Sequence, residues 1–370
     1  MPGHVGNRVE ELRQRRGLSA AELASRVHVT RQTIYAIEAG TYVPNTRVAL
    51  YLARELDVKV DELFALTEDA VAVEPFTAEL LSAGAATSGQ PVRLCQLGSN
   101  WIGVPVTAAP YYLPDADGVI HSHPAKGHNT LITAEKPESQ NRIIMAGCDP
   151  AGTLLTNMVR KLSGVEVIAA AASSKLALRW LSEGKVHIAG SHLEDVRTGE
   201  FNLPFLKSEF PRRKFSVITM ARWEQGLVTA AGNPKHLREI ADLARKNVLM
   251  VNREAGSGSR ALLDRLLRQA GLNSARIAGY RDVANGHLAA AWTVLSGRAD
   301  VCIATRAAAQ AFSLHFVPLH AERYDLVMLR ATADLPAVQA LLNVLQRADF
   351  RRKLELLAGY DTAQTGTLIT

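Results

Sequence analysis

Apolar residues recur at helical spacing through the first 65 residues, and capping residues stand at the ends of the apolar segments. Ser19 followed by Glu22 has the pattern of a capping box, in which each residue satisfies a backbone N–H of the other. Thr30 can cap a second short helix, whose Ile34 and Ile37 then point inward. The spacing predicts two short helices joined by a tight turn.

The second of these helices leaves polar side chains exposed at its amino end. Arg and Gln form bidentate hydrogen bonds with guanine and adenine in the major groove, and Thr reaches a thymine methyl group or a phosphate. The predicted DNA-binding residues are Arg31, Gln32, Thr33, Tyr35, Ser19, Thr30, Arg16 and Asn45. The alternative is a small helical bundle that binds protein instead of double-stranded DNA.

The same residues carry a family resemblance that covers about the first 65 positions. The matching segments are Asn7–Arg16, Leu18–Ala24, Val29–Gly40 and Val43–Asn45. They resemble the helix-turn-helix of the Cro and lambda-repressor type, the XRE family. The resemblance implies an all-α bundle of five helices over residues 1–68. Asn45 would cap the fourth helix, with an i, i+4 stripe of Val48, Leu52 and Leu56, and Val60, Leu63 and Phe64 would close the bundle.

Charge adds modest support for a polyanionic partner. The chain has 370 residues, a formal net charge of +6 and a sequence pI of about 9.3. Arginines crowd the early helices, where phosphates would lie. They are Arg8, Arg13, Arg15, Arg16, Arg26 and Arg31.

Residues 69–140 give a weaker pattern and are expected to form a linker or small β-rich connector. Val92–Cys95 and Trp101–Val104 read as short strands. His121, His123 and His128 are close in sequence, but without a cysteine or carboxylate at ligand spacing they are interpreted as solvated loop histidines.

Further absences narrow the class of protein. The cysteines Cys95, Cys148 and Cys302 are too widely spaced for a disulfide framework or a zinc finger, and reduced, mostly buried thiols are expected. The sequence has no apolar run long enough to span a membrane and no secretory signal, so a cytoplasmic protein is expected.

From Arg142 onward, buried strands alternate with amphipathic helices, which predicts an α/β domain with a mostly parallel sheet over residues 141–370. The predicted strands are Ile143–Ala146, Val165–Ala171, Val186–Ala189, Val248–Val251, Asp300–Ala304 and Leu326–Leu329. Asp149 is expected to cap the first helix, with Pro150 at its first position.

Small polar residues follow three of these strands, at Asp149, at Ser173 with Ser174, and at Gly256–Ser259. A helix amino terminus offers free N–H groups and a positive dipole end, so an anion can bind there. The alternative is that Gly and Ser only make tight turns. The predicted ligand-binding residues are Asp149, Ser173, Ser174, Ser257, Gly258, Ser259, Arg260, Asn285, His287 and Tyr324.

A second resemblance covers most of this region. The matching segments are Gly147–Pro150, Ala189–Leu193, Gln225–Val228, Gly232–Pro234, Asn252–Arg260 and Glu322–Leu326. They resemble cytoplasmic relatives of type II periplasmic binding proteins, whose nearest known members resemble molybdate-binding domains and also occur fused to molybdopterin-biosynthesis modules. Ser259 stands where that family commonly has Thr. The resemblance implies two lobes joined by crossing strands at Gln225–Ala230 and Arg323–Met328, with ligand clasped between the lobes.

These expectations combine into a one-component transcriptional regulator that binds DNA as a homodimer and senses a small effector. The leading effector is an oxyanion such as molybdate or tungstate, held by hydroxyls and backbone amides without a metal, a cofactor or catalytic residues. A carboxylate at Asp149 would repel an anion unless it faces away as a cap. Asn285, His287 and Tyr324 could extend the choice to a larger organic ligand.

Two other classes compete with this interpretation. One is an enzyme or binding protein acting on the molybdenum cofactor or another small anionic metabolite, with the first domain as a tether. Against it, the serine-rich loop lacks the G-x-S-x-G order, and His192 and His287 are interpreted as packing residues. The other is an extracytoplasmic transport receptor, which the missing export signal disfavours.

Overall fold

A computed structural model describes residues 4–67, 75–82, 86–106, 115–122, 129–134, 137 and 141–370. The chain divides into two compact units, residues 1–73 and residues 74–370, which we call the front unit and the rear unit. In the described residues no helix has both the length and the apolar character needed to cross a bilayer. His123 and His128 lie outside the described residues, while His121 is exposed on a strand.

The described part of the front unit contains five helices, as predicted. They are α1 (Val9–Arg15), α2 (Ala20–Arg26), α3 (Arg31–Glu38), α4 (Thr46–Leu56) and α5 (Val60–Leu63). All three predicted caps are confirmed: the side chains of Ser19, Thr30 and Asn45 accept from backbone N–H groups at the starts of α2, α3 and α4. Ser19 and Glu22 form the complete capping box.

Two features of the front unit differ from the prediction. The first helix begins at Val9 instead of Asn7, because residues His4–Asn7 form a strand, β1. This strand pairs antiparallel with β2 (Phe64–Thr67), so the bundle is not wholly helical. The interior is apolar and separate from the cores of the rear unit. It includes Leu23, Ile34, Ile37, Leu52, Leu56 and Leu63.

The β-rich connector is confirmed and is a closed barrel. Its strands, within the described residues, are β3 (Phe76–Leu80), β4 (Pro91–Leu97), β5 (Asn100–Pro105), β6 (Gly118–Ser122) and β7 (Asn129–Ala134). They are hydrogen-bonded in the order β3-β5-β4-β6-β7 and then back to β3. Alternate residues of these strands fill the interior, including Val92, Leu94, Ile120 and Ile132.

The remainder of the rear unit is an α/β domain. Its strands are β8 (Arg142–Gly147), β9 (Glu166–Ala171), β10 (Ile188–Ser191), β11 (Phe215–Thr229), β12 (Asn252–Arg253), β13 (Val283–Ala284), β14 (Val301–Thr305), β15 (His315–Leu329) and β16 (Tyr360–Asp361). Its helices are α6 (Gly152–Ser163), α7 (Ser174–Ser182), α8 (Leu203–Glu209), α9 (Gly258–Gln269), α10 (His287–Leu295), α11 (Arg306–Ala311), α12 (Arg330–Ala333), α13 (Pro336–Leu345) and α14 (Ala348–Glu355). Two 3₁₀ helices cover Ile240–Ala244 and Ser274–Arg276.

Two long antiparallel strands, β11 and β15, run through both halves of this domain. One end of the pair bonds to β10, in the lobe that holds β8, β9, α6 and α7, and we call this the first lobe. The other end bonds to β14, in the lobe that holds α9, α10 and α11, the second lobe. The two predicted crossings, Gln225–Ala230 and Arg323–Met328, fall on these strands, so the two-lobed architecture is confirmed.

The prediction of a mostly parallel sheet was wrong. Only β8 pairs in parallel with its neighbours β9 and β10 in this sheet, while β10-β15, β11-β15 and β11-β14 are antiparallel. Two local predictions also fail. The first helix of the domain begins at Gly152, after Pro150, and the segment Val248–Val251 contributes only a bridge from Met250 to Val301 in place of a full strand.

Ion pairs attach the barrel to the first lobe. The carboxylate of Asp117 lies 2.7 Å from Arg142 and 3.3 Å from Arg93, and Arg142 lies 2.6 Å from Glu166. Arg93 also pairs with Glu166. The four side chains are largely shielded from solvent, with between 12% and 24% of each exposed. Ion pairs that are shielded from solvent and hydrogen-bonded to one another keep a fixed geometry better than exposed pairs do. These pairs therefore hold the barrel against the first lobe.

Candidate functional site

The amino end of α3 presents the predicted base-reading side chains to solvent. Arg31, Gln32 and Tyr35 are exposed and Thr33 is half-buried, whereas Ile34 is fully buried in the core. The guanidinium of Arg31 lies 5.2 Å from the Tyr35 ring centroid and donates to the Tyr35 hydroxyl at 2.8 Å. This stacking orders a long cationic side chain before any partner arrives, which reduces the entropy lost on binding.

The other predicted DNA-binding residues surround this helix end. Ser19, Thr30 and Asn45 are exposed at the starts of their helices, where their oxygens accept the cap hydrogen bonds. Hydroxyls of Ser and Thr can still donate to a phosphate while they accept a cap bond. Arg16 is exposed and pairs with Asp57 at 2.9 Å.

Arg13 was wrongly placed among the arginines expected near phosphates. Its guanidinium lies 2.6 Å from the Glu38 carboxylate, and only 11% and 6% of the two side chains are exposed. It also donates to the Leu18 carbonyl. The Glu38 carboxylate raises the pKa of Arg13 through its hydrogen bond. Arg13 therefore fixes α1 against α3 and supports the reading helix from behind.

The rear unit contains a crevice formed by two adjoining cavities. The larger, of about 460 Å³, is lined by Ser173, Glu254, Asn285 and residues of the barrel. The smaller, of about 270 Å³, is lined by Asp149, His287 and Tyr324. The two share Gly147, Cys148, Ala171, Asn285 and Gly286. Five of the predicted ligand-binding residues are thus brought together: Asp149, Ser173, Asn285, His287 and Tyr324.

The other predicted ligand residues do not line these cavities. Ser174 is fully buried and accepts from the His192 backbone. Ser257 caps α9, and the Arg260 guanidinium stacks on the Tyr280 ring at 4.1 Å. Ser259 is 1% exposed beside Arg253.

Gly258 packs so closely on His192 that a Cβ there would lie 2.3 Å from its ring. This loop joins the two lobes instead: the Gly256 carbonyl accepts from the Lys175 backbone at 3.3 Å. A second contact joins the lobes where Arg265 of α9 lies 2.5 Å from Glu194. The lobes are therefore closed on each other.

Asp149 faces the protein and does not cap a helix. Its Oδ1 accepts from the Tyr360 hydroxyl at 2.5 Å and from the Ala151 backbone at 2.9 Å. Its Oδ2 is buried and has no hydrogen-bond partner among the described residues. Burial raises the pKa of this carboxyl to about 6, against the opposing effect of the Tyr360 bond. A carboxyl with this pKa is still mostly ionised at neutral pH, so its charge opposes an anion in the smaller cavity.

A buried polar cluster that meets the crevice at Cys148 was not predicted. His192 Nδ1 lies 2.6 Å from Glu322 Oε2, and Trp223 Nε1 donates to the same oxygen at 3.3 Å. Gln225 also donates to Glu322. On its other side, His192 Nε2 lies 3.5 Å from Cys148 Sγ. These residues come from distant parts of the chain, and no spacing in the sequence could have linked them.

Electrostatics in this cluster are strongly perturbed. Burial is the largest single effect and opposes the imidazolium form of His192, but the charges and hydrogen bonds of Glu322 and Cys148 together raise the His192 pKa. Burial would raise the pKa of Glu322, and His192 lowers it instead. Burial lowers the pKa of His287, with Arg253 and His192 adding to the effect. Both His287 ring nitrogens are buried without a hydrogen-bond partner among the described residues. His287 is thus a neutral group without a role in the fold's hydrogen bonding.

Comparison with protein families and relatives agrees with this architecture. Residues 155–346 match the family model described as a PBP superfamily domain, and residues 4–66 match a helix-turn-helix domain. YvgK, an uncharacterised protein of Bacillus subtilis, is 33% identical over 245 residues, which is 66% of this chain and 79% of YvgK. YgzD, an uncharacterised HTH-type transcriptional regulator of the same organism, is 44% identical over 63 residues, covering 17% of this chain and 96% of YgzD.

Among solved structures, the sulfate-binding protein SubI from Mycobacterium tuberculosis is similar with a TM-score of 0.43 and 18% identity. The alignment covers 60% of this chain and 86% of SubI. The sequence resemblances to an XRE-type helix-turn-helix and to a periplasmic-binding-protein-like domain are confirmed by the two family models.

Proposed function

We propose that this chain, which belongs to the PBP superfamily and carries a helix-turn-helix domain of transcriptional regulators at its front, is a one-component regulator. Its crevice senses a small anion. The observation that carries the proposal is the coexistence of an exposed, stacked reading helix in one unit with a polar interlobe crevice in the other.

The proposed DNA contacts follow from the chemistry of α3. Gln32 and Arg31 would contact base edges in the major groove, and Thr33 and Tyr35 would contact a base or the backbone. Ser19, Thr30, Asn45 and Arg16 would contact phosphates from the surrounding helix ends. We propose a homodimer, because two heads on half-sites about 34 Å apart multiply affinity and selectivity.

The proposed effector is an oxyanion of the molybdate or tungstate kind. Two helix amino termini reach the larger cavity, that of α7 at Ser173 and that of α10 at Gly286, and neither has a side-chain cap. The Lys175 and Gly286 N–H groups already donate to the Gly256 carbonyl and the Glu254 carboxylate. The donors proposed for an oxyanion are therefore the other N–H groups of these helix starts, the Ser173 hydroxyl and the Asn285 amide. The cavity volume of about 460 Å³ also accommodates a larger organic anion.

The barrel lies between the front unit and the two lobes in the chain and also lines the crevice. Gln90, Val104 and Pro105 of the barrel region line the larger cavity, and the ion pairs of Arg93 and Arg142 hold the barrel to the first lobe. An effector in this cavity would contact both lobes and the barrel at once. The lobes are already closed in this structure, so opening them to release the effector would move the first lobe together with the barrel, which follows the DNA-reading helices in the chain.

Calorimetric titration of the full chain with molybdate, tungstate, sulfate and phosphate tests the effector class. We expect heat from at least one anion, and at least tenfold weaker binding by Ser173→Ala. Ser182, which is half-buried at the far end of α7, provides the matched control, and Ser182→Ala is expected to bind as the unmodified chain does. If none of the four anions gives heat, the oxyanion proposal fails while the DNA-reading proposal stands.

A further inference from the structure

We propose that Cys148, His192 and His287 form a binding site for a transition-metal ion of the Zn²⁺ class. The Cys148 thiol and one ring nitrogen of each histidine all lie within 4.8 Å of one another. One thiolate and two imidazoles are a ligand set that suits Zn²⁺ and similar borderline metal ions. The sequence predicted no metal-binding side chain in the crevice, and the three residues are far apart in the chain.

The geometry of two of the ligands already matches a tetrahedral ion. With metal bonds of about 2.3 Å to sulfur and about 2.0–2.1 Å to nitrogen, neighbouring ligand atoms in a tetrahedron lie roughly 3.3–3.6 Å apart. Cys148 Sγ and His192 Nε2 are separated by 3.5 Å. The third ligand needs a movement of about 1 Å or a turn of the ring to reach the same distance.

No hydrogen bond among the described residues holds the His287 ring in its present orientation. Its side chain is 1% exposed, and neither ring nitrogen has a hydrogen-bond partner among the described residues. A buried polar group without a partner costs free energy that a ligand or ion would recover. The centroid of its ring lies 6.0 Å from the ring centroid of His192 and 5.4 Å from that of Trp223. The unsatisfied imidazole therefore stands beside the other two ligands.

His192 has the supporting partner that metal-bound histidines usually have. Glu322 Oε2 accepts from Nδ1 at 2.6 Å, which leaves Nε2 directed at Cys148. In metal sites such a carboxylate fixes the ring orientation and raises the basicity of the ligating nitrogen. Trp223 and Gln225 donate to the same carboxylate oxygen and hold it in place. Glu322 thus acts as a positioning residue for His192.

The ion would join the two lobes. Cys148 follows β8 and His192 follows β10 in the first lobe, whereas His287 starts α10 in the second. Three protein ligands leave a fourth position on a tetrahedral ion. Among the described lining residues of the larger cavity there is no Lys or Arg. A bound cation would supply the missing positive charge to an anionic effector, and this last consequence rests on the proposed function.

Metal binding alone tests the site, with neither effector nor DNA present. The full chain without a polyhistidine tag, stripped of metal, is dialysed against Zn²⁺ and analysed for bound metal, and Co²⁺ is then used as the spectroscopic probe. We expect one ion per chain and, with Co²⁺, a thiolate-to-metal charge-transfer band with the intense visible bands of a tetrahedral ion.

Variants separate this site from other thiols and histidines. Cys148→Ser should abolish the charge-transfer band, His287→Gln should weaken binding at least tenfold, and Glu322→Gln should weaken it about 10–100-fold without removing the band. Cys95→Ser, a buried thiol in the barrel, is the control and should change nothing. Because His287 makes no hydrogen bond in the described fold, His287→Gln should fold even if Cys148→Ser does not.

The proposal is overturned if the unmodified chain takes up no metal above background. It is equally overturned if uptake and the charge-transfer band survive Cys148→Ser and His287→Gln. Neither result would touch the proposed regulator, since DNA and anion binding are measured separately.

Discussion

The front unit and the crevice of the rear unit use polar groups in opposite ways. In the front unit, Ser19, Thr30 and Asn45 close helix ends within a few residues of themselves, and the reading side chains are exposed. In the crevice and the buried cluster beside it, Asp149, Gln225 and His287 have buried polar atoms without hydrogen-bond partners among the described residues. Polar groups that have hydrogen-bond partners therefore stabilise the fold of the front unit, while buried polar groups without partners indicate where a ligand is expected.

The largest expected effect separates the stability of the two units. Ile34→Ala should lower the free energy of unfolding of the front unit by about 2–5 kcal/mol, because Ile34 is fully buried. All four tryptophans, Trp101, Trp180, Trp223 and Trp292, lie in the rear unit. Urea unfolding followed by circular dichroism should therefore show an earlier helical transition, with the tryptophan fluorescence transition unchanged.

The complementary variant is Leu341→Ala, because Leu341 is fully buried in the core of the rear unit. It should shift the fluorescence transition and spare the front unit. If Ile34→Ala also shifts the tryptophan fluorescence transition, the two units unfold together. That result would contradict the expectation that their separate cores unfold independently.

The attachment of the barrel gives the next effect. Asp117→Asn should destabilise the rear unit by about 1–3 kcal/mol, since it removes the charge bonded by Arg142, Arg93 and the Leu94 backbone. Asp115→Asn is the control, because Asp115 contacts the same Arg93 but is 72% exposed, and its loss should be within about 0.5 kcal/mol. Equal losses, measured by urea unfolding, would mean that the barrel is not held by the shielded network.

Base reading by α3 is tested by Gln32→Ala. The loss of a bidentate contact should weaken operator binding by about 1–3 kcal/mol, and mainly at one base pair. Gln14→Ala is the control, because Gln14 is exposed on α1 and bonds only Glu10 among the described contacts. Fluorescence anisotropy with single-base operator variants makes the measurement. Equal affinities for Gln32→Ala and the control would remove Gln32 from the reading surface.

The smallest effect contrasts two serines at helix starts. Ser19→Ala should cost about 0.5–2 kcal/mol of stability, because its hydroxyl accepts the Glu22 N–H. Ser173 also precedes a helix, but its side chain makes no cap bond. Ser173→Ala should therefore leave thermal stability nearly unchanged and weaken anion binding. A loss of stability equal to that of Ser19→Ala would indicate a structural role for Ser173.

The sequence predicted the parts of the fold that depend on neighbours in the chain. The caps at Ser19, Thr30 and Asn45 and the stripe of α4 are read within four residues, and each was found. The crossing strands were harder, because Gln225, Glu322 and Arg323 interrupt their apolar pattern and hide strands of 15 residues each. The apolar pattern therefore predicted only the end of β15, at Leu326–Leu329, while the crossings were implied by the family resemblance, and the sheet was expected to be mostly parallel.

The crevice was predicted in part. Strand ends pointed to Asp149 and Ser173, and Asn285 was predicted in the second lobe; all three line the crevice. The turn Gly256–Ser259 has the same composition, yet it contacts the first lobe across the closed interface. Composition alone does not distinguish a ligand turn from a lobe contact. The pairing of Cys148 with His192, and of both with His287, depends on the topology that joins the two lobes.

The central claim is that the front unit reads DNA while the crevice reports on a small ligand. Its most direct test is the anisotropy of a labelled duplex from the chain's own promoter region, titrated with the full chain in the presence and absence of molybdate, tungstate, sulfate or phosphate at fixed salt. We predict tighter binding to this duplex than to a scrambled one, and a change in affinity with at least one of the anions. Equal binding to both duplexes, unaffected by any anion, would contradict the account.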